Sequence, residues 1–293
     1  MSIRQNLSQV PGPVYSRPKQ TPPVRARQMP RVSGMGAHPG PQVLHSTRGG
    51  TRGAEPTEEG GGSMVAPPLP LFVYADFEAT QNAGVFVANL FCYSSSEETT
   101  IHVLDGEDCA LQFLRDLDDL TDTPDSESER EILVVFHNFK GFNGMFILHV
   151  LYQQQREVAD QLTVGAKVLS FKIGAVKFID SLCFLPMPLA SFPSTFNLTE
   201  LKKGFFPDLF NTPDHQQYVG RIPDLEFYDP DGMMAKKKDE LTRWHADQAR
   251  RNVMFNFKQE MIDYCKSDVA LLKAGREAFQ QEFERQAAFN PMA

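Results

Sequence analysis

Three short stretches, separated by long gaps, carry the side chains that could do chemistry: Asp76-Phe77-Glu78, then Asn138 with Asn143, then Tyr264 with Asp268. Side chains alternate along an extended strand, so Asp76 and Glu78 share one face while Ala75 and Phe77 point to the other. Two carboxylates side by side on an apolar strand repel each other and are costly to desolvate unless a cation shares them. A divalent metal answers that need; for this stretch alone, an edge strand with one solvated acidic face answers it too. Tyr264 and Asp268 are four residues apart, which on a helix puts both on one face about 6 Å from each other and lets a phenol and a carboxylate address one group. Many solvated helices carry the same pair. Asn143 follows a glycine-bracketed turn, where it either faces a site or caps a helix, and alone capping is the simpler job.

Each stretch needs an element to hold it. Leu69 to Thr80 is apolar and aromatic and starts after a Pro pair, as a buried strand does. Val85 to Tyr93 and Thr99 to Leu104, joined by a polar turn, predict two further strands of a three-stranded hairpin. Cys109 to Leu120 reads as a helix with Leu111, Phe113, Leu114 and Leu117 inward, and Thr121 to Arg130 as an acidic loop. The continuous apolar run Glu131 to His137 predicts an interior strand; Gly141 and Gly144 then bracket a strand-to-helix turn that puts Asn143 near the start of the helix bearing Phe146, Leu148, Val150 and Leu151. Lys167 to Ile173 and Ala175 to Asp180 form a hairpin across Gly174. Residues 186–235 show no periodicity and are expected to be an irregular, substrate-facing insertion. Lys236-Lys237-Lys238 opens an amphipathic helix through Trp244, and residues 255–285 form a helix whose stripe is Met261, Ile262, Cys265, Val269, Leu271 and Leu272.

Taken together, Tyr74-Ala75-Asp76-Phe77-Glu78, His137-Asn138-Phe139-Lys140-Gly141-Phe142-Asn143-Gly144 and Tyr264-Cys265-Lys266-Ser267-Asp268 resemble, in order, the three exonuclease motifs of family B DNA polymerases. The likeness is to the protein-primed branch of linear plasmids, adenoviruses and Maverick or Polinton elements, and it spans roughly residues 69 to 290. It implies an α/β, ribonuclease H-like (DnaQ-like) 3′-5′ exonuclease fold, with a mixed central sheet flanked by helices. It also implies a reaction: hydrolysis of the 3′-terminal nucleotide of single-stranded DNA by two Mg²⁺ or Mn²⁺ ions held by Asp76, Glu78, Asp268 and the residue at 143. In that pattern Asp76 bridges both ions, Glu78 and Asp268 hold the ion that activates water, and Tyr264 orients the water. A phenol titrating at about pH 10 is not a free base. Ile179-Asp180-Ser181-Leu182-Cys183-Phe184-Leu185 resembles the segment that grips the single-stranded 3′ end, giving Ser181, Leu182 and Leu185 as DNA-binding residues beside Asn138 and Phe142. Leu198-Thr199-Glu200-Leu201-Lys202-Lys203-Gly204 resembles the stretch bearing a catalytic lysine, best matched by Lys202 with Lys203 its neighbour. Two positions depart from the family. Asn143 stands where the branch has Asp and offers a carbonyl without negative charge, so the second ion should bind weakly and catalysis should slow. Ala79 stands where a hydroxyl usually touches the 3′ end.

The termini add two expectations. Residues 1–68 hold 8 Lys or Arg against 3 Glu, with 11 Pro and 10 Gly, and read as a disordered basic tail. Residues 69–285 are the expected exonuclease domain, and 286–293 resemble the start of a linker to a polymerase domain. None of that domain's residues follow here, so polymerisation is not expected from this chain alone. A separate polymerase body or a terminal protein is then a partner to consider, and a truncated reading frame, an editing subunit and a domesticated mobile-element fragment are equally open as origins. A catalytically silent module that holds a 3′ end or recruits a partner is the alternative reading.

Composition narrows the remaining classes. Hydrophobic residues at 41% and aromatics at 11% suffice for a core. After residue 68 the balance is 21 basic against 34 acidic side chains, which argues against broad affinity for duplex DNA. A site holding a few nucleotides through metals and stacking remains compatible; Phe142 is a candidate for stacking, whereas Phe77 points away from the acids and is assigned to the core. Cys92, Cys109, Cys183 and Cys265 have neither zinc nor disulfide spacing, implying a reducing compartment. No stretch is apolar enough to span a bilayer, so no membrane partner is expected and the chain reads as soluble and intracellular, with the nucleus open to it. The seven histidines show no ligand spacing and read as structural.

Overall fold

The first strand decides how everything else is arranged. Strand β1 (Leu71–Asn82) sends Val73, Ala75, Phe77 and Ala79 into one buried cluster and Phe72 and Tyr74 into a second on the opposite face. This is the period-two alternation of a strand buried on both sides. The structure, a computed structural model, describes residues 69–82, 85–122, 130–198, 201 and 203–287. The expected basic tail, Lys202, most of the acidic loop and the last six residues of the expected linker lie outside these.

Strands β2 (Val85–Ser95) and β3 (His102–Asp105) complete an antiparallel meander with β1, and helix α1 (Cys109–Thr121) returns across one face. Strand β4 (Ile132–Phe136), buried at every residue, pairs parallel with β1; helix α2 (Asn143–Gln153) follows it. Strands β5 (Ala159–Val164), β6 (Lys167–Ile173) and β7 (Val176–Asp180) form an antiparallel run that ends with β7 parallel to β4. The sheet order is β3-β2-β1-β4-β7-β6-β5. Within β3-β2-β1-β4-β7 only β2 runs against the others, and the result is the mixed α/β, ribonuclease H-like architecture that the motif resemblance implies.

Helices α1 and α2 cover the face holding Phe77, Phe91, Phe113, Phe136 and Phe146. Burying each such ring stabilises the fold by about 1.5–3 kcal/mol relative to exposure. The other face is covered by α5 (Phe257–Ala287), whose Met261, Cys265, Val269, Leu271 and Leu272 are buried as expected. Between β7 and α5 lie 3-10 turns, a four-residue helix α3 (Phe192–Thr195), strand β8 (Val219–Arg221), helix α4 (Ala235–Arg250) and strand β9 (Met254–Asn256), which pairs with β8. The region expected to be irregular is therefore largely so. It is also partly core: Leu189, Phe192, Phe206 and Phe210 are buried against α5. Among the described residues no helix is long and apolar enough to cross a membrane.

Candidate active site

Because Phe77 turns into the core, Asp76 and Glu78 must face α5, and both are partly buried there. The pairing of β1 with β4 ends at Tyr74 and Val135, just before the acids, so the cleft opens where the two strands part. In the pairing of β1 with β2 the register slips between Glu78 and Ala79, leaving Asn89 of β2 as the extra residue of a bulge. The Asn89 amide donates to Asn211 Oδ1 at 3.0 Å, and the Asn211 amide donates to the Ala79 carbonyl at 2.9 Å. A buried polar network thus pins the strand beside Glu78. Ala79 itself is buried and offers no hydroxyl to the cleft.

The second motif is held by a residue the sequence reading assigned no task. Buried Asp180, at the end of β7, accepts backbone N–H bonds from Asn138 at 3.0 Å, Lys140 at 3.2 Å and Leu182 at 3.0 Å. An Asp that ends a strand before a polar turn is the available signal for such a role. Asn138 is exposed at a left-handed φ of 67°, a conformation Asn tolerates, and a Cβ at Gly141 would come within 2.6 Å of its amide. The turn then releases α2 with Asn143 as its first residue. Asn143 makes no cap; buried, it donates its amide to Asp76 Oδ1 at 2.9 Å. The capping reading is corrected on that point: the preceding residue, Phe142, occupies the cap position, and the Asn143 amide group instead donates across the cleft to Asp76.

Other positions expected at a DNA end are less available. Ser181 is buried and its hydroxyl lies 2.8 Å from His137 Nδ1, Leu185 is buried among the residues beneath α5, and Leu182 is partly buried. Phe142 is partly buried and packs edge-on against Phe86 and Phe146. His137, read as structural, also packs edge-on against Phe192.

The third motif faces the first. Cys265 Sγ lies 3.6 Å from the Asp76 carbonyl; Tyr264 precedes it by one residue and Asp268 follows it by three on the same helix. Phe206 stacks on Tyr264 at 5.0 Å, and Lys203 sets its ammonium 4.4 Å above the same ring while pairing with Asp268 Oδ2. Among the described residues Lys203 is the lysine that reaches the acids; Lys202, the better match to the family pattern, lies outside them. A loop without periodicity gives no clue that Lys203 turns inward.

Electrostatics follow from this crowding. Desolvation, then the charge of Asp268, push Asp76 up to about 7, against partial relief from Lys203 and Asn143. Glu78 is held well above the usual carboxylate range by desolvation and by Asp76, Asp208 and Asp268. Asp208, exposed on a 3-10 turn, is an acid the sequence reading missed. Burial also raises Asp268, although Lys203 opposes it, and raises Tyr264, so the phenol keeps its proton. Burial pulls the Lys203 ammonium down, but the Tyr264 oxygen and the Asp268 carboxylate outweigh it and hold it above its ordinary value.

As they stand, no three His, Cys, Asp or Glu side chains among the described residues are grouped closely enough to hold a metal ion. Lys203 and Asn143 occupy two of the acids instead. The donor chemistry nonetheless fits a hard divalent cation: the oxygens are carboxylate, and Asp268 Oδ1 is buried without a hydrogen-bond partner.

Acids on β1 and α5 thus meet, with the polar residue that heads α2, at one cleft. Residues 126–292 match the family described as DNA polymerase type B, organellar and viral, and the chain belongs to that family. The matched stretch takes in Asn138, Asn143, Tyr264 and Asp268, while β1 precedes it. Two fungal proteins, each named "Probable DNA polymerase", are similar to this chain. The one from Neurospora intermedia is 29% identical over 161 residues, covering 51% of this chain and 16% of that protein. The one from Ascobolus immersus is 28% identical over 150 residues, covering 46% and 12%. The chain therefore spans less than a fifth of either relative's length. Among solved structures, Phi29 DNA polymerase complexed with single-stranded DNA is 16% identical with a TM-score of 0.46, covering 73% of this chain and 32% of that one.

Proposed function

We propose that this chain is the 3′-5′ exonuclease region of a type B DNA polymerase, acting on the 3′ end of single-stranded DNA. One observation carries the reading: mutually repelling carboxylates from β1 and α5 meet at one cleft beside the residue that begins α2. Asp76, Glu78 and Asp268 would hold Mg²⁺ or Mn²⁺, which supplies a water-derived nucleophile and neutralises the leaving oxygen. Tyr264 keeps its proton and orients water by donating or accepting one hydrogen bond. Asn143 presents an amide where a carboxylate would draw in a second ion, so that ion binds weakly and turnover is slow.

A second reading rests on a specific observation. The Asn143 amide and the Lys203 ammonium already engage one oxygen each of Asp76 and Asp268, which suits a cleft that holds a 3′ end without cutting it. Incubation of the protein with a 5′-labelled single-stranded oligonucleotide and Mg²⁺ or Mn²⁺ separates the two. The exonuclease reading expects a ladder shortened from the 3′ end, absent with Asp76→Ala/Glu78→Ala. Oligonucleotide bound but equally intact with both proteins overturns it in favour of the silent binder.

A further inference from the structure

We propose that Lys203 competes with the divalent cation for Asp268, so that metal enters this cleft only by displacing a cation the protein already carries. The inference rests on the exonuclease reading of the cleft and names the residue that sets its metal affinity.

Three observations carry it. Lys203 pairs with Asp268 through one carboxylate oxygen, with side chains only 20% and 5% exposed, so little water screens the pair. Its ammonium also lies 4.4 Å above the Tyr264 ring, which Phe206 backs at 5.0 Å. The stem is therefore held over the third motif and does not wander in solvent. The second Asp268 oxygen is buried with no partner. An ion bound there would sit beside a positive charge attached to the same carboxylate, and at that range two cations repel strongly in a poorly hydrated site. Lys203 thus supplies a neutralising charge to Asp268 in so buried a place. Asn143 does the corresponding task for Asp76 with a neutral amide, which blocks an ion less than an ammonium does. Lys203 is a positioning residue in this account, controlling Asp268.

The test is Mn²⁺ affinity of the full chain, measured by calorimetry and by the loss of the free-ion electron paramagnetic signal, without nucleic acid. Lys203→Gln should tighten Mn²⁺ at least about tenfold, the scale expected on removing a competing unit charge from a poorly screened site, while Lys203→Arg should bind as weakly as wild type. Lys203→Met repeats the charge removal should the Gln variant lose its circular dichroism spectrum. Affinity unchanged or weaker in these neutral variants, with Asp268→Asn weaker still than wild type, overturns the inference and leaves the cleft's reading intact. Mn²⁺ binding that also survives Asp76→Ala/Glu78→Ala shows that the ion binds elsewhere, and both fall.

Discussion

At the scale of single residues, the cleft is an acid trap with one acid missing. Replacing Asn143 by Asp should raise the rate of 3′-end hydrolysis at limiting Mg²⁺ by at least about tenfold, because an ion contributes several kcal/mol to such a transition state. The same change should lower the denaturation temperature of the metal-free protein, since a new carboxylate would face Asp76 in place of a donated hydrogen bond. Asp76 makes a second prediction through pH. Its pKa is raised to about 7 in the fold, against about 3.9 for an unfolded Asp, so between those values the native state binds the extra proton. The stability this group contributes is present below about pH 4 and is lost as pH rises through about 7. Urea midpoints measured without metal should therefore show a downward slope across that window that Asp76→Asn flattens. The facing of Asp76 and Glu78 was legible from strand alternation alone. The choice of Lys203, the bond from Asn143 and the part of Asp208 were not, because each depends on a loop or a turn meeting a distant strand, and no periodicity records such a meeting.

At the scale of elements, two joints hold the motifs in register. Asp180 gathers three backbone N–H groups from the second motif and the turn after β7. Asp180→Ala should cost roughly 1–3 kcal/mol in urea unfolding, the penalty for buried donors left unpaired. Gly275 lets α5 approach α3: a Cβ there would lie 2.1 Å from a carbon of the buried Phe192 ring. Ala ordinarily favours a helix interior by about 1 kcal/mol over Gly, but the overlap should win and leave Gly275→Ala destabilised by about 1–3 kcal/mol, read as a lowered denaturation temperature. Hairpin β6–β7 was legible because its residues alternate between core and surface across a Gly turn. Strand β5 was not, because all six of its residues are exposed and carry no pattern. Strands β8 and β9 escaped notice for a different reason: at three residues each they are too short for a period to show.

At the scale of the whole molecule, charge and family membership bound the same function. The 34 acidic against 21 basic side chains after residue 68 leave few cations for phosphate. Affinity for a single-stranded oligonucleotide should therefore fall by no more than about tenfold between 50 and 200 mM salt, against the roughly 10³-fold or greater loss of a protein making six or more phosphate contacts. A steep loss, measured by fluorescence anisotropy, would place binding on a basic surface away from the acids. Membership in the type B polymerase family agrees with the second and third stretches, which lie inside the matched residues in the expected order even with Asn at 143. The most direct test of the account is anomalous diffraction from crystals soaked in Mn²⁺ with thymidine 5′-monophosphate. The account predicts a manganese peak bounded by Asp76, Glu78 and Asp268, with the nucleotide phosphate beside it. Manganese seated elsewhere, with Lys203 still paired to Asp268, would contradict it.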